Sequence, residues 1–229
     1  MIAITDSATG VADPAAHSSA YRLLALGFKY PTREAFELYR NGQFMSELMS
    51  HLSWRPHLSS IALEEAGIAD KVSADLEGIA FEDFETTYVA TFDVGFPEPP
   101  CPPYEGLYSD AMPRTEVLME VGAFYTHFGL AMSQEEGKRE LPDYLCAELE
   151  FLHFLTFKEA QAREEGNQEL ANGYLLARKD FLERHMVGWL PKFHERVRGV
   201  DALAFYPDLA RILVRFVNGE FALLRAAVP

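Results

Sequence analysis

The stretch SSAYRLLALGFKYP, residues 18–31, decides how the rest of the chain is read. Tyr21, Leu24, Ala25 and Phe28 fall at i, i+3, i+4 and i+7, which is one face of a helix with 3.6 residues per turn. Pro31 ends the run, because proline lacks the N–H that a continuing helix must donate. Downstream, Thr32 is placed to cap a second helix that carries Phe36, Tyr39 and Leu48, and Trp54-Arg55-Pro56 breaks it. A third helix, over about 69–92, turns Val72, Leu76, Ile79, Phe84 and Tyr88 inward and keeps its acids outside. The same period predicts helices over about 113–128, 142–165 and 207–224. Between the last two, another runs from Gly166-Asn167 to about Trp189 and continues past Pro191. An acidic turn, 133–140, precedes Pro142, which suits the first turn of a helix. Upstream, residues 1–16 are small and polar and read as a flexible arm. Residues 17–229 then form a single all-α domain, a bundle of roughly seven to nine helices. No segment alternates with a period of two between hairpin turns, and no 20–50-residue repeat is present.

One stretch differs in kind. Residues 93–109, DVGFPEPPCPPYEGLYS, hold five prolines and two glycines, so neither a helix nor a central strand passes through. It is a proline-rich central loop. Prolines hold such a segment near polyproline II at low entropic cost, which presents Tyr104, Glu105 and Tyr108 in a nearly fixed array. Aromatic faces flanked by carboxylates suit Arg and Lys side chains. A rigid connector whose tyrosines pack on the helices fits the same residues. A second constellation follows in residues 141–152, LPDYLCAELEFL. Asp143 is expected in the first helical turn, where the macrodipole favours an anion. Glu150 lies two turns further along the same face with Ala147 between, an acidic floor with a small residue in the middle. Leu145, Leu149 and Leu152 form the stripe expected to face the core.

Composition bounds the function. The chain has 229 residues, 48% hydrophobic and 24% charged, enough for one domain with a core that needs no staple. Its 35 acidic against 20 basic residues give a net charge of −15, a poor match for nucleic acid or anionic lipid. Two cysteines make no disulfide framework. No signal peptide, spanning segment or lipidation motif is read, so a cytoplasmic location with reduced thiols is expected. Dinucleotide, phosphate-loop, nucleophile-elbow, zinc-protease and paired-cysteine motifs are absent. Cys101 has no histidine near it in sequence and reads as structural. Glu150 and His153 form one E-x-x-H pair, but a di-iron bundle uses two such pairs and two further glutamates. No cofactor or metal is therefore expected, and no catalytic turnover.

The two constellations, in this order, resemble the TorD/DmsD/NarJ family of chaperones for molybdenum enzymes. The resemblance rests on Tyr30-Pro31, on Phe84–Tyr88 leading into the loop Gly95–Tyr108, and on Phe124-Tyr-Thr-His-Phe-Gly-Leu130. It continues with Pro142–Phe151, Trp189-Leu-Pro-Lys-Phe193 and Phe205-Tyr206. Asp143-Tyr144 is similar to the nitrate-reductase branch, where other branches have Asp-His, and Cys101 in the loop resembles chaperones for type II enzymes of the dimethyl sulfoxide reductase family. The resemblance implies an all-helical chaperone, not an enzyme. Its partners would be the catalytic subunit of a molybdopterin oxidoreductase and that subunit's twin-arginine leader, with export held back until the cofactor is inserted. It implies a monomer or a helix-exchanged dimer, without nucleic acid or membrane insertion. On this view Tyr104, Glu105, Tyr108, Asp143, Tyr144 and Glu150 line one groove for the leader. Two alternatives remain at this point: a helical-bundle metal enzyme built on Glu150 and His153, and a scaffold protein that presents its proline loop as a ligand.

Overall fold

In the computed structural model, which describes residues 14–53, 56–133, 140–200 and 203–227, the 18–31 pattern forms the central helix. This helix, α1 (Pro14–Phe28), buries the expected face of Tyr21, Leu24, Ala25 and Phe28. It starts at Pro14, so the last residues of the expected 1–16 arm are helical; residues 1–13 lie outside the described part. Thr32 caps α2 (Arg33–Arg40), its Oγ1 accepting from the Ala35 N–H at 3.2 Å.

Two expected helices are each broken. Gly42 takes φ +74°, a left-handed conformation that ends α2 and separates it from α3 (Gln43–Ser53). Gly78, at φ +77°, likewise divides the 69–92 segment into α5 (Ile68–Asp75) and α6 (Phe81–Tyr88). Before them stands α4 (Pro56–Glu64), a helix that the apolar periodicity does not predict. It opens on a proline and buries Leu58 and Ile61, one helical turn apart. Residues 54–55 of the expected break and 134–139 of the acidic turn lie outside the described residues. The remaining helices are α7 (Arg114–His127), α8 (Leu145–Glu164), α9 (Gln168–Phe181), α10 (Leu190–Gly199) and α11 (Phe205–Ala227). Two π turns extend the ends of helices: Val89–Asp93 after α6 and Leu182–Met186 after α9. The described residues thus hold eleven α-helices where periodicity counts seven to nine, and no strand.

α1 packs along α8, α8 along α9, and α10 on α11, with α3 and α4 closing the other side. An aromatic cluster joins these layers. Tyr206 of α11 lies 5.0 Å from Phe92 and 5.4 Å from Phe84 between ring centroids, and Phe193 of α10 lies 5.7 Å from Phe28. This cluster fixes the foot of the proline loop, since Phe92 is the last core residue before it.

Candidate functional site

The proline loop returns to the start of α8, about as far from it in sequence as expected. Tyr104 and Tyr144 form an isolated antiparallel bridge. The Glu105 N–H donates to the Asp143 carbonyl at 3.0 Å, and the Leu145 N–H donates to the Pro103 carbonyl at 2.9 Å. The two tyrosine rings stand 5.4 Å apart. Gly106 makes the approach possible: a Cβ there would lie 2.6 Å from Arg114 Cγ and 3.0 Å from Asp143 Oδ2. That same Oδ2 accepts from the Gly106 N–H at 3.1 Å.

This bridge corrects the expected helix start. Pro142 and Asp143 form a turn ahead of α8, and Tyr144 occupies its N-cap position. Asp143 is fully buried, and burial raises its carboxyl above the usual range. An acidic floor running from Asp143 past Ala147 to Glu150 therefore does not form. Ala147 and Glu150 face a cleft, and Asp143 lies behind it. The stripe of Leu145, Leu149 and Leu152 is fully buried, as expected.

The cleft has a volume of about 850 Å³, within the range of ligand sites. Tyr104 and Tyr144 form one wall, and Leu130, Met132 and Phe154 supply an apolar edge. Among the described residues of its lining, three carboxylates, Asp93, Glu140 and Glu150, meet one cation, Lys29. Glu140 accepts from the Tyr104 hydroxyl at 3.0 Å. Lost hydration and the neighbouring Glu140 raise the Asp93 carboxyl. Lys29 donates to Glu150, and both side chains are about half exposed, so the pair is weak and open to exchange. The described lining thus carries more acid than base beside aromatic faces.

Of the six residues expected in one groove, Tyr104, Tyr144 and Glu150 line the cleft. Glu105, Tyr108 and Asp143 are buried behind its wall. Tyr108 packs on Trp189 at 5.5 Å. Glu105 Oε2 lies 3.1 Å from His185 Nδ1 and accepts its proton in the tautomer that carries one there. His153 Nδ1 lies 2.8 Å from the Ser18 carbonyl while Glu150 is on Lys29, so the E-x-x-H pair is split between two partners. Sequence reasoning missed Lys29, Asp93 and Glu140 as cleft residues. Asp93 opens the proline stretch and Lys29 precedes Tyr30-Pro31, which were the available signals. Both thiols are buried, and burial pushes Cys101 up to about 11 and Cys146 up to about 12.

The family model described as nitrate reductase delta subunit matches residues 59–195, well over half of the chain and all of the loop, the bridge and both π turns. The chain belongs to this family. Among its relatives, the perchlorate reductase assembly chaperone protein of Dechloromonas aromatica (strain RCB) is 36% identical over 206 residues, 90% of this chain and 88% of that one. The chlorate reductase assembly chaperone protein of Ideonella dechloratans is 30% identical over 193 residues, 84% and 82% of the two chains. The selenate reductase assembly chaperone protein of Thauera selenatis is 34% identical over 140 residues, 61% and 67%. These members of the nitrate reductase delta subunit family are named as chaperones, not as catalysts. No helix of the described residues is long and apolar enough to cross a membrane.

Proposed function

We propose that the chain is a cytoplasmic assembly chaperone, without turnover of its own, for the catalytic subunit of a molybdopterin oxidoreductase. The cleft holds that subunit's twin-arginine leader until the cofactor is in place. Relatives named for perchlorate, chlorate and selenate reductases support the client class. The observation that carries the site is the excess of carboxylate among the described lining residues, three acids against Lys29, beside the Tyr104 and Tyr144 rings. Guanidinium groups gain charge-assisted hydrogen bonds from such acids and stack on such rings. The edge of Leu130, Met132 and Phe154 suits the apolar residues of the same peptide. The whole-chain charge of −15 speeds encounter with a cationic segment and makes it salt-sensitive.

The test is a titration of wild type and of the Asp93→Asn/Glu140→Gln double variant with a synthetic leader containing two adjacent arginines. Each charge-assisted contact contributes about 1.5–3 kcal/mol, so the double variant is expected to bind at least about tenfold more weakly. Its affinity should also fall less steeply with salt. Equal affinity for the two proteins at low salt places the leader elsewhere.

A further inference from the structure

We propose that Glu105 and His185 are positioning residues for the cleft: their buried contact fixes the proline loop so that Tyr104 stands as its wall. The proposal rests on the reading of the cleft as the leader site. His185 sits in the π turn Leu182–Met186 and is fully buried. Its Nδ1 lies 3.1 and 3.3 Å from the two Glu105 carboxylate oxygens. Its Nε2 lies 3.9 Å from Glu120, which is itself paired with Arg184. The rings of Phe181 and Phe124, at 5.0 and 5.5 Å, hold the imidazole in place. The His185 carbonyl accepts from Trp189 Nε1 at 2.6 Å, and Trp189 in turn packs on Tyr108. The π turn therefore holds the loop at the first residue of its short 3-10 turn, Glu105–Leu107, and, through Trp189, at the residue just past its end. Tyr104 is the next residue outward.

Packing alone does not call for this arrangement. Removing charged and polar groups from water is expensive, and apolar residues of similar volume often serve stability as well. Here the cluster is larger than one pair. Glu148 of α8 is fully buried beside the pair, within interaction range of the Glu105 carboxyl and the Trp189 indole. Burial and Glu105 push it well above the carboxylate range, which favours its neutral form beside the pair. Buried polar networks of this kind specify one arrangement out of several, and π turns recur at functional sites. The arrangement specified here is the seat of Tyr104.

The test is a double-mutant cycle on the full chain, with the two-arginine leader peptide as probe and Glu105→Gln and Tyr104→Ala as variants. If Glu105 acts through Tyr104, Glu105→Gln weakens binding about fivefold with Tyr104 present and less than about twofold without it. Additive losses overturn the proposal. Amide exchange on the free protein gives a second reading. Glu105→Gln, and His185→Gln from the other side, should speed exchange at residues 104–108 and leave α1 and α8 unchanged. Faster exchange throughout the bundle reduces the pair to a stabilising contact and overturns the proposal. A wild type that ignores the peptide defeats the leader reading, and the positioning role then stands or falls on whether exchange changes are confined to the loop.

Discussion

Asp143 closes a hydrogen bond that a backbone would otherwise leave open. The half-buried Gly106 N–H donates to it, and no other acceptor of that N–H occurs in the described contacts. Asp143→Asn keeps an oxygen in that place and relieves the burial of a carboxylate, so it should fold normally and bind the leader as wild type does. Asp143→Ala leaves a half-buried donor without its acceptor and should lose about 1 kcal/mol of stability, with weaker leader binding as the loop loosens. Denaturant unfolding beside peptide titration separates the two; equal behaviour of the Asn and Ala variants would refute this account. The local sequence points Asp143 toward a helix start, because Pro142 suits the first turn. What overrides that preference is the bridge to Tyr104, a pairing across 40 residues that no local periodicity encodes.

Elements were legible wherever an apolar face repeats, and their ends were legible where a proline or a capping side chain stands, as at Pro31 and Thr32. Breaks at glycine were harder to read. Gly42 and Gly78 take positive φ, whereas Gly27 lies inside α1 without ending it. A glycine permits the left-handed conformation but does not require it. At position 42 packing also excludes a side chain, since a Cβ would meet Ser73 Oγ at 2.8 Å and the Ala69 carbonyl at 3.0 Å. Gly42→Ala should therefore lower stability by more than the ~1–2 kcal/mol of the left-handed penalty alone, measured by thermal unfolding. A smaller loss would mean that the turn between α2 and α3 is free to readjust. The two π turns left no trace in the sequence, because each lies at the end of a helix, where no apolar stripe continues beyond it to reveal the change of register. Yet one ends on Asp93 at the cleft and the other presents His185 to Glu105.

Across the whole molecule, the site is assembled from segments that no linear pattern unites: the end of α1, the π turn after α6, the proline loop and the head of α8. Tyr104, Tyr144 and Glu150 were legible as chemistry, but which acids reach the cleft depends on packing between these segments. The same assembly sets the response to pH. Burial raises the carboxyls of Asp143 and Glu148, and lost hydration that of Asp93, each above its unfolded value. The folded state then holds more protons than the unfolded one between the two values. Stability supplied by these groups is present at low pH and is lost as pH rises through the folded values. Wild type should therefore lose melting temperature as pH rises above the ordinary carboxylate range, and Glu148→Gln should flatten that slope; parallel profiles for the two proteins would contradict it. The two buried thiols carry one more consequence. Neither Cys101 nor Cys146 is open to solvent, one sitting within the proline loop and the other beneath the cleft. An alkylating reagent can reach each only when its own part of the molecule opens, so the chain carries two native clocks. An occupant that rests on the cleft floor would slow the reaction at Cys146, while one that merely tightens the loop would slow it at Cys101. The ratio of the two rates would then tell, with no label attached, where a client sits.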